Sequence, residues 1–440
     1  MYFLSFGYNC EKSNFNLEVF MAGETYIDNE KRFFILKTYA FSFIIFGLLF
    51  SNYETFFDDI FRIITEPDFL IVDYIKLSGI GAAFLNCGIV TMAAIMILKK
   101  AKVEITGVSI ASLWTLSGFS LFGKNIFNVW FVIIGVFIYS KIRKESFRKY
   151  VYIAFFGTSL SPIITQIIFS DALPSFLNLI LAFITSTFLG FLLPPLSSYF
   201  LSFHRGYNLY NVGFTAGIIA TFLVSILRAY GYSFEPRILW SSGNNVLLGI
   251  YLYVLFLVMI YMGYRYNKNS FSGVKKISTY SGRLVTDFVL LEGMEKTLIN
   301  MGSVGLAATS YVLLTGAALN GPTIGGIFTI VGFGAFGKHL RNIIPIFLGV
   351  FLGSITNMYD IHDPNMVLAA LFGTTLAPIA GEFGIFWGII AGFLHSSLVT
   401  NLGYLHGGMN LYNNGFSGGL VAAFLLPIIQ AFERRGKDEH

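Results

Sequence analysis

Three blocks of this chain are written twice, in the same order. HRGYNLYNVGFTAGIIATF (204–222) lies over HGGMNLYNNGFSGGLVAAF (406–424) with eleven of nineteen positions identical and no gap. GVSIASLWTLSGFSLFGKNIFNVWFVIIGVF (107–137) lies over GPTIGGIFTIVGFGAFGKHLRNIIPIFLGVF (321–351) with twelve of thirty-one identical. The identities include Gly118/Gly332, Phe122/Phe336, Gly123/Gly337, Lys124/Lys338 and Asn128/Asn342. Between them, AFFGTSLSP (154–162) matches AALFGTTLAP (369–378) at Gly157/Gly373, Thr158/Thr374 and Pro162/Pro378. A duplication of this length restricts the chain to folds assembled from two like halves.

The solvent of those halves follows from composition. Apolar residues make up 55% of the chain and charged residues only 12%, where a soluble domain carries about 25% charged. Runs such as 33–51, 79–98, 176–196 and 246–264 are long enough to cross a bilayer, which takes about 20 apolar residues as helix. The expected class is all-α, a polytopic integral membrane protein. The net charge of +5 then bears on orientation, and no nucleic-acid partner is expected. Cys10 and Cys87 form neither a disulfide framework nor a metal spacing, and no cofactor is expected. Residues 1–32 lack the basic start and cleavage site of a signal peptide, so the first span is expected to target the chain.

GFGAFGKH (332–339) opens like a phosphate-binding loop, G-x-x-x-x-G-K-[ST]. Its last position needs a hydroxyl for magnesium and holds His339 instead. The copy at Gly118–Lys124 lacks the hydroxyl too, and both copies sit in apolar sequence with no strand pattern before them. A glycine-rich, broken membrane helix is the better reading.

Basic runs mark the cytoplasmic side of a membrane protein. They fall at 99–102, 141–149, 265–283, at Lys338 with Arg341, and at 434–437, whereas 54–73 and 360–363 are acidic. Seven crossings per half, near 33–52, 77–98, 107–122, 125–140, 151–169, 174–201 and 206–228, then 245–264, 298–319, 321–337, 343–358, 365–380, 384–402 and 408–431, put all these basic runs inside and both acidic loops outside. Five crossings, with the Gly-rich and Thr-Pro blocks re-entrant, put 141–149 outside. Either count is odd, so the second half inserts upside down, the inverted-topology plan of secondary transporters and some channels. The expected division is a cytoplasmic tail 1–32, a first repeat 33–237, a second repeat 238–432 with the basic loop 265–283 inside it, and a cytoplasmic tail 433–440. Both termini would be cytoplasmic, in a cell inner membrane.

Backbone at membrane depth needs internal partners, so Gly and Pro clusters inside spans mark breaks that face protein or a water-filled cavity. Asn208, Tyr210, Asn211 and Asn410, Tyr412, Asn413 offer amides and phenols for a solute pathway, or interhelical hydrogen bonds. Thr158, Ser159, Thr374 and Thr375 offer hydroxyls and freed carbonyls, or merely re-bond a proline-kinked helix. His204 and His406 are proton or substrate groups, or caps near the membrane surface. Lys124 and Lys338 attract anions, or snorkel to the surface. Glu382 is functional if embedded and solvated if in a loop.

The His-x-Gly-x-Asn-Leu-Tyr-Asn-x-Gly-Phe block, with the Gly-Phe-Gly-Ala-Phe-Gly-Lys-His and Gly-Thr-Thr-Leu-Ala-Pro stretches, resembles a family of bacterial, Firmicute-type multi-pass membrane proteins classed as a domain of unknown function. The likeness covers nearly everything after residue 30 and implies a bacterial inner-membrane protein, with no activity attached. A looser similarity of plan is to urea transporters, through LNGPTIGG (319–326) and LFGTTLAP (371–378). That family's Leu-Pro-x-x-Thr-x-Pro-Phe signature is absent, and the first half has no matching Asn-Gly.

The function expected is a transporter or channel for a small hydrophilic solute, neutral or anionic, using a central site between inverted repeats. Na+ or H+ is the candidate coupling ion, the lipid bilayer the surroundings, and a homo-oligomer is open. The rival classes are a membrane-embedded enzyme using the paired histidines and a structural or signalling component. Against an enzyme stands the lack of H-E-x-x-H, G-x-S-x-G and paired intramembrane acids.

Overall fold

The computed structural model describes residues 27–170, 174–231, 237–356 and 358–438. Most of the expected N-terminal tail, with Cys10, lies outside them. The first half runs α1 (Asn29–Leu49), α2 (Phe56–Thr65), β1 (Ile71–Val72), α3 (Tyr74–Lys100), α4 (Gly107–Phe119), α5 (Val129–Ile142), α6 (Val151–Gly157), α7 (Ser161–Ile168), α8 (Ser175–His204) and α9 (Asn211–Ala229). The second runs β2 (Ile238–Leu239), α10 (Asn245–Tyr266), α11 (Val274–Ile277), α12 (Phe288–Glu292), α13 (Met294–Leu314), α14 (Gly321–Phe333), α15 (Leu340–Thr356), α16 (Pro364–Gly373), α17 (Ala377–Phe383), α18 (Ile385–Leu402) and α19 (Asn413–Asp438). The two-residue strands pair in parallel, Ile71 with Ile238 and Val72 with Leu239.

The fold is all-α and that of a multi-pass membrane protein. Among the described residues, ten helical segments have the length and apolarity to cross a bilayer. The sequence reading counts fourteen crossings, and the other four fall on α4, α5, α14 and α15. These have 13, 14, 13 and 17 residues. At 1.5 Å per residue they reach about 20–26 Å, short of the roughly 30 Å hydrocarbon core. Each Gly-Lys block is thus a turn between two short helices. The Thr-Pro blocks are long segments interrupted by one tight turn, at Thr158–Leu160 and Thr374–Leu376. Pro162 has no N–H for the Thr158 carbonyl one turn back, and Ser161 Oγ donates to it instead at 2.6 Å.

The same breaks recur in both halves. A glycine with positive φ interrupts the helix at Gly79 (82°) and separates α12 from α13 at Gly293 (87°). Thr106 and Ser109 exchange hydrogen bonds at the start of α4, and Asn320 and Thr323 do so at the start of α14. Such reciprocal caps satisfy the free amides of a first helical turn. α4 and α14 pack face to face through small residues: a Cβ on Gly118 would stand 2.7 Å from the Gly325 carbonyl oxygen. Both helices are almost wholly buried, so the centre of the molecule is built from the two short helices that follow these caps.

Candidate functional site

Each Gly-Lys turn is fixed by an asparagine from the preceding long helix. Asn86 Nδ2 donates to the Ser120 and Lys124 carbonyls at 2.7 and 2.9 Å. Asn300 Nδ2 does the same for Gly334 and Lys338 at 2.7 and 2.8 Å. Asn128 and Asn342 close the turns from the other side, accepting from the amides of Asn125 and His339, both at 2.9 Å. The glycines before the lysines have φ of 83° (Gly123) and 105° (Gly337), which L side chains rarely adopt. The backbone of each lysine is therefore held while its side chain runs into an aromatic core of Phe119, Tyr210, Phe333, Phe372 and Tyr412.

Both lysines are fully buried, which removes the snorkelling reading. Lys338 Nζ donates to Tyr210 Oη at 2.5 Å and to Thr374 Oγ1 at 2.7 Å. It lies 4.6 Å from the Tyr210 ring centre and 5.3 Å from that of Phe333. Lys124 Nζ lies 4.7 Å from the Phe119 ring centre and 5.9 Å from that of Tyr412. Among the described residues the Lys124 ammonium has no hydrogen-bond partner. The Tyr210 and Tyr412 rings stand 5.4 Å apart, so the two lysines flank one aromatic cluster. Among the described residues no carboxylate pairs with either lysine. A buried charge normally needs a paired opposite charge, and among the described residues the compensation comes from two hydroxyls at Lys338 and from ring faces at both lysines.

The His-Gly-Asn-Leu-Tyr-Asn loops reach this cluster crosswise. Leu209 N donates to the Thr375 carbonyl and Leu411 N to the Ser159 carbonyl, both at 3.0 Å. The loop of each half thus satisfies the carbonyl that the other half's Thr-Pro turn leaves free. Asn208 Nδ2 donates to Gly415 O at 3.0 Å, and Asn410 Nδ2 to Gly213 O at 3.3 Å. Asn208 Oδ1 accepts from Thr375 Oγ1 at 2.5 Å. His204 Nε2 meets Asn211 Oδ1, and His406 Nε2 meets Asn413 Oδ1, each at 2.9 Å. Asn211 and Asn413 donate in turn to the carbonyls of Ser197 and Val399.

The sequence-derived candidates therefore separate into two roles. Asn208, Asn211, Asn410, Asn413, Thr375, His204 and His406 are engaged in holding loops, and both histidines are fully buried instead of capping at a surface. Lys124, Lys338, Tyr210, Tyr412 and Thr374 present their polar tips to the central cluster. Thr158 Oγ1 bonds back to Phe155 O at 2.6 Å, and Ser159 Oγ is buried without a partner. Glu382 is exposed near the end of α17.

Several polar residues of the interior escaped the sequence reading. Asn86 and Asn300 share the offset that relates Lys124 to Lys338, and that offset was the available signal. His395 is buried, with Nε2 2.9 Å from Asn414 Oδ1 and Nδ1 3.0 Å from Ser417 Oγ. It has no histidine counterpart in the first half, so no duplication flagged it. Asp68 and Asp73 belong to the 54–73 stretch expected to form an acidic outer loop, yet both are fully buried.

No curated protein and no solved structure matches the chain. A sequence model described as "Protein of unknown function (DUF1576)" matches residues 52–229 and 266–431. The two matched stretches begin at the offset that separates Lys124 from Lys338, and between them they contain every residue of the central cluster. The chain belongs to this family, DUF1576.

Proposed function

We propose that this protein is a transporter or channel for a small hydrophilic anion, with two halves of inverted topology enclosing a central site. One observation carries the reading: two fully buried lysines, one from each half, meet a shared aromatic and hydroxyl cluster with no carboxylate between them. Charged groups inside a membrane protein are costly and face partners or pathways. A cation pair left without acids favours a negatively charged solute, and Tyr210, Tyr412 and Thr374 supply hydroxyls to orient it. Crosswise loop contacts support alternating access, because a movement of one half pulls on the Thr-Pro turn of the other. The preference for an anion narrows the sequence expectation, which admitted neutral solutes.

The test is a thermal-unfolding screen of the purified protein against sodium salts of small inorganic and organic anions. A ligand bound only by the folded state adds about 2.7 kcal/mol at a hundredfold excess over its dissociation constant. Stabilisation by a defined anion, lost in both Lys124→Met and Lys338→Met, is the expected result. An unchanged response in both variants, or no response to any anion, overturns the reading.

A further inference from the structure

The two halves differ most sharply at one buried acid. Asn342 Nδ2 closes the second Gly-Lys turn on Gly337 O at 2.9 Å, and its other acceptor is the Ser281 backbone carbonyl at 3.5 Å. Asn128 Nδ2 closes the first turn on Gly123 O at 3.3 Å, and its other acceptor is the Asp68 carboxylate, Oδ2, at 2.9 Å. A chargeable group thus stands in the first half where the second has a neutral carbonyl. Asp68 is fully buried. Tyr74 Oη donates to its Oδ1 at 2.7 Å, and Thr165 Oγ1 lies 3.4 Å from Oδ2. The backbone on both sides is pinned too: Asp68 N donates to Thr165 Oγ1 at 2.9 Å, and Gln166 Nε2 donates to Asp68 O at 2.9 Å.

We infer that Asp68 is a proton-binding site that couples proton movement to the central anion site. This rests on the anion reading above. Every side chain around the carboxyl offers it a hydrogen: a phenol, an amide NH2 and a hydroxyl. A metal ion requires the reverse, a shell of acceptor oxygens turned inward. Among the described residues no cation pairs with Asp68. Of the ionisable groups around it, Glu66 is paired with Arg237, Arg62 of α2 donates to Leu77 O at 3.3 Å, Asp73 is committed to amides and Ser241, Tyr74 donates to the carboxyl itself and Lys124 lies in the adjoining turn, while Asp58 of α2 and Lys76 of α3 are exposed and Asp59 of α2 is half-buried. α7 contributes only the uncharged Thr165 and Gln166.

The coupling is geometric. The step is one O–H bond formed on a carboxylate oxygen with a proton from water on one side, and broken to water on the other. The ionised carboxylate accepts from all three donors, and such charge-assisted bonds are about twice as strong as neutral ones. Protonation at Oδ2 turns that oxygen into a donor, so a donor facing it, Thr165 or Asn128, must turn away. Tyr74 and Thr165 can rotate their hydroxyl hydrogens. Asn128 cannot without releasing Gly123 O, the carbonyl next to Lys124. One proton and one anion would then cross together, and the anion would move without net charge.

Infrared difference spectroscopy of the whole protein in lipid, stepped from about pH 9 to about pH 5, reads the site directly. Burial pushes the Asp68 carboxyl up to about 7. A protonated-carboxyl band that grows in across about pH 7 and is absent from Asp68→Asn is the expected result. Tyr74→Phe deletes one donor to the charged form and should move the midpoint up by about one pH unit. A band that persists in Asp68→Asn, or a midpoint unmoved in Tyr74→Phe, overturns the inference. In proteoliposomes holding a pH dye, inward gradients of chloride, nitrate or phosphate should acidify the lumen with the wild type and not with Asp68→Asn. Anion entry without acidification defeats the coupling while leaving the anion reading intact. If no anion enters or binds, the infrared result still decides whether Asp68 takes up a proton.

Discussion

The Asp73 carboxylate accepts a hydrogen bond from the Gly321 amide at 3.0 Å, across the boundary between the halves. Asp287 accepts from the Gly107 amide at 2.9 Å, so each half supplies an acid to the first turn of the other half's short central helix. A carboxylate there satisfies free amides and meets the positive end of the helix dipole. Loss of such a cap costs about 0.5–2 kcal/mol. Both Asp73→Ala and Asp287→Ala should lower the unfolding temperature in detergent, and the Asn variants, which keep an acceptor, should lose less. Equal losses for Ala and Asn would show that the charge, and not the hydrogen bond, carries the effect.

Lys338 allows a test of how the central charge is tolerated. Tyr210→Phe or Thr374→Val removes one of its two acceptors and leaves a buried ammonium less satisfied, at a cost of about 1–3 kcal/mol. Lys338→Met removes the charge itself and should be the mildest of the three, because a desolvated charge is replaced by an apolar side chain of similar length. Tyr210→Phe combined with Lys338→Met should then cost less than the sum of the two. A double-mutant cycle on unfolding free energy checks this, and simple additivity would mean that the 2.5 Å contact contributes nothing.

The membrane class was open in the run of apolar residues, and the paired lysines were open in the repeat. What escaped the sequence was depth. Asp68 and Glu54 sit in one acidic stretch, yet one is buried and the other exposed, because Asp68 meets Tyr74 of α3, Asn128 of the turn before α5 and Thr165 of α7. No local pattern encodes that convergence. The fourteen-crossing reading and the ten long apolar helices differ at the Gly-Lys turns. The 107–140 region is apolar enough for two spans, but Gly123 and the Asn125–Asn128 contacts spend its middle on a turn. The sequence leaves the asparagines open as pathway residues or interhelical hydrogen-bond partners, and their partners show them holding loops.

Two glycines at the second Gly-Lys turn separate steric need from conformational need. A Cβ on Gly282 would stand 2.0 Å from the Gly337 carbonyl oxygen, and one on Gly337 would stand 2.5 Å from that of Gly282. Gly384 has a similar positive φ of 90° but nothing within 4 Å of the added carbon. Gly384→Ala should cost only the backbone strain, about 1–2 kcal/mol. Gly282→Ala and Gly337→Ala must also push apart the backbone segments that meet beside Lys338, and each should lose most of the folded yield. Fluorescence-detected size exclusion of the three variants measures it. Comparable yields would mean that the Gly282–Gly337 contact opens freely.

Glu292, at the end of α12, gives a pH dependence outside the spans. Tyr280 Oη donates to it at 2.6 Å, Lys276 lies at 2.8 Å and Lys296 at 3.6 Å. Burial raises its carboxyl, but the Lys276 and Tyr280 hydrogen bonds outweigh that and hold it below the ordinary value of 4.5. A carboxyl lowered by folding contributes stability that is full above its unfolded value and lost as pH falls through the folded one. The contribution should therefore be present at neutral pH and disappear below about pH 4.5. Lys276 is 63% exposed, so solvent screens its share of the interaction. Glu292→Gln should be less stable than wild type at pH 7 and converge with it in acid, as followed by thermal unfolding at each pH. A gap that stays constant into acid would assign the loss to packing of the side chain and not to its charge.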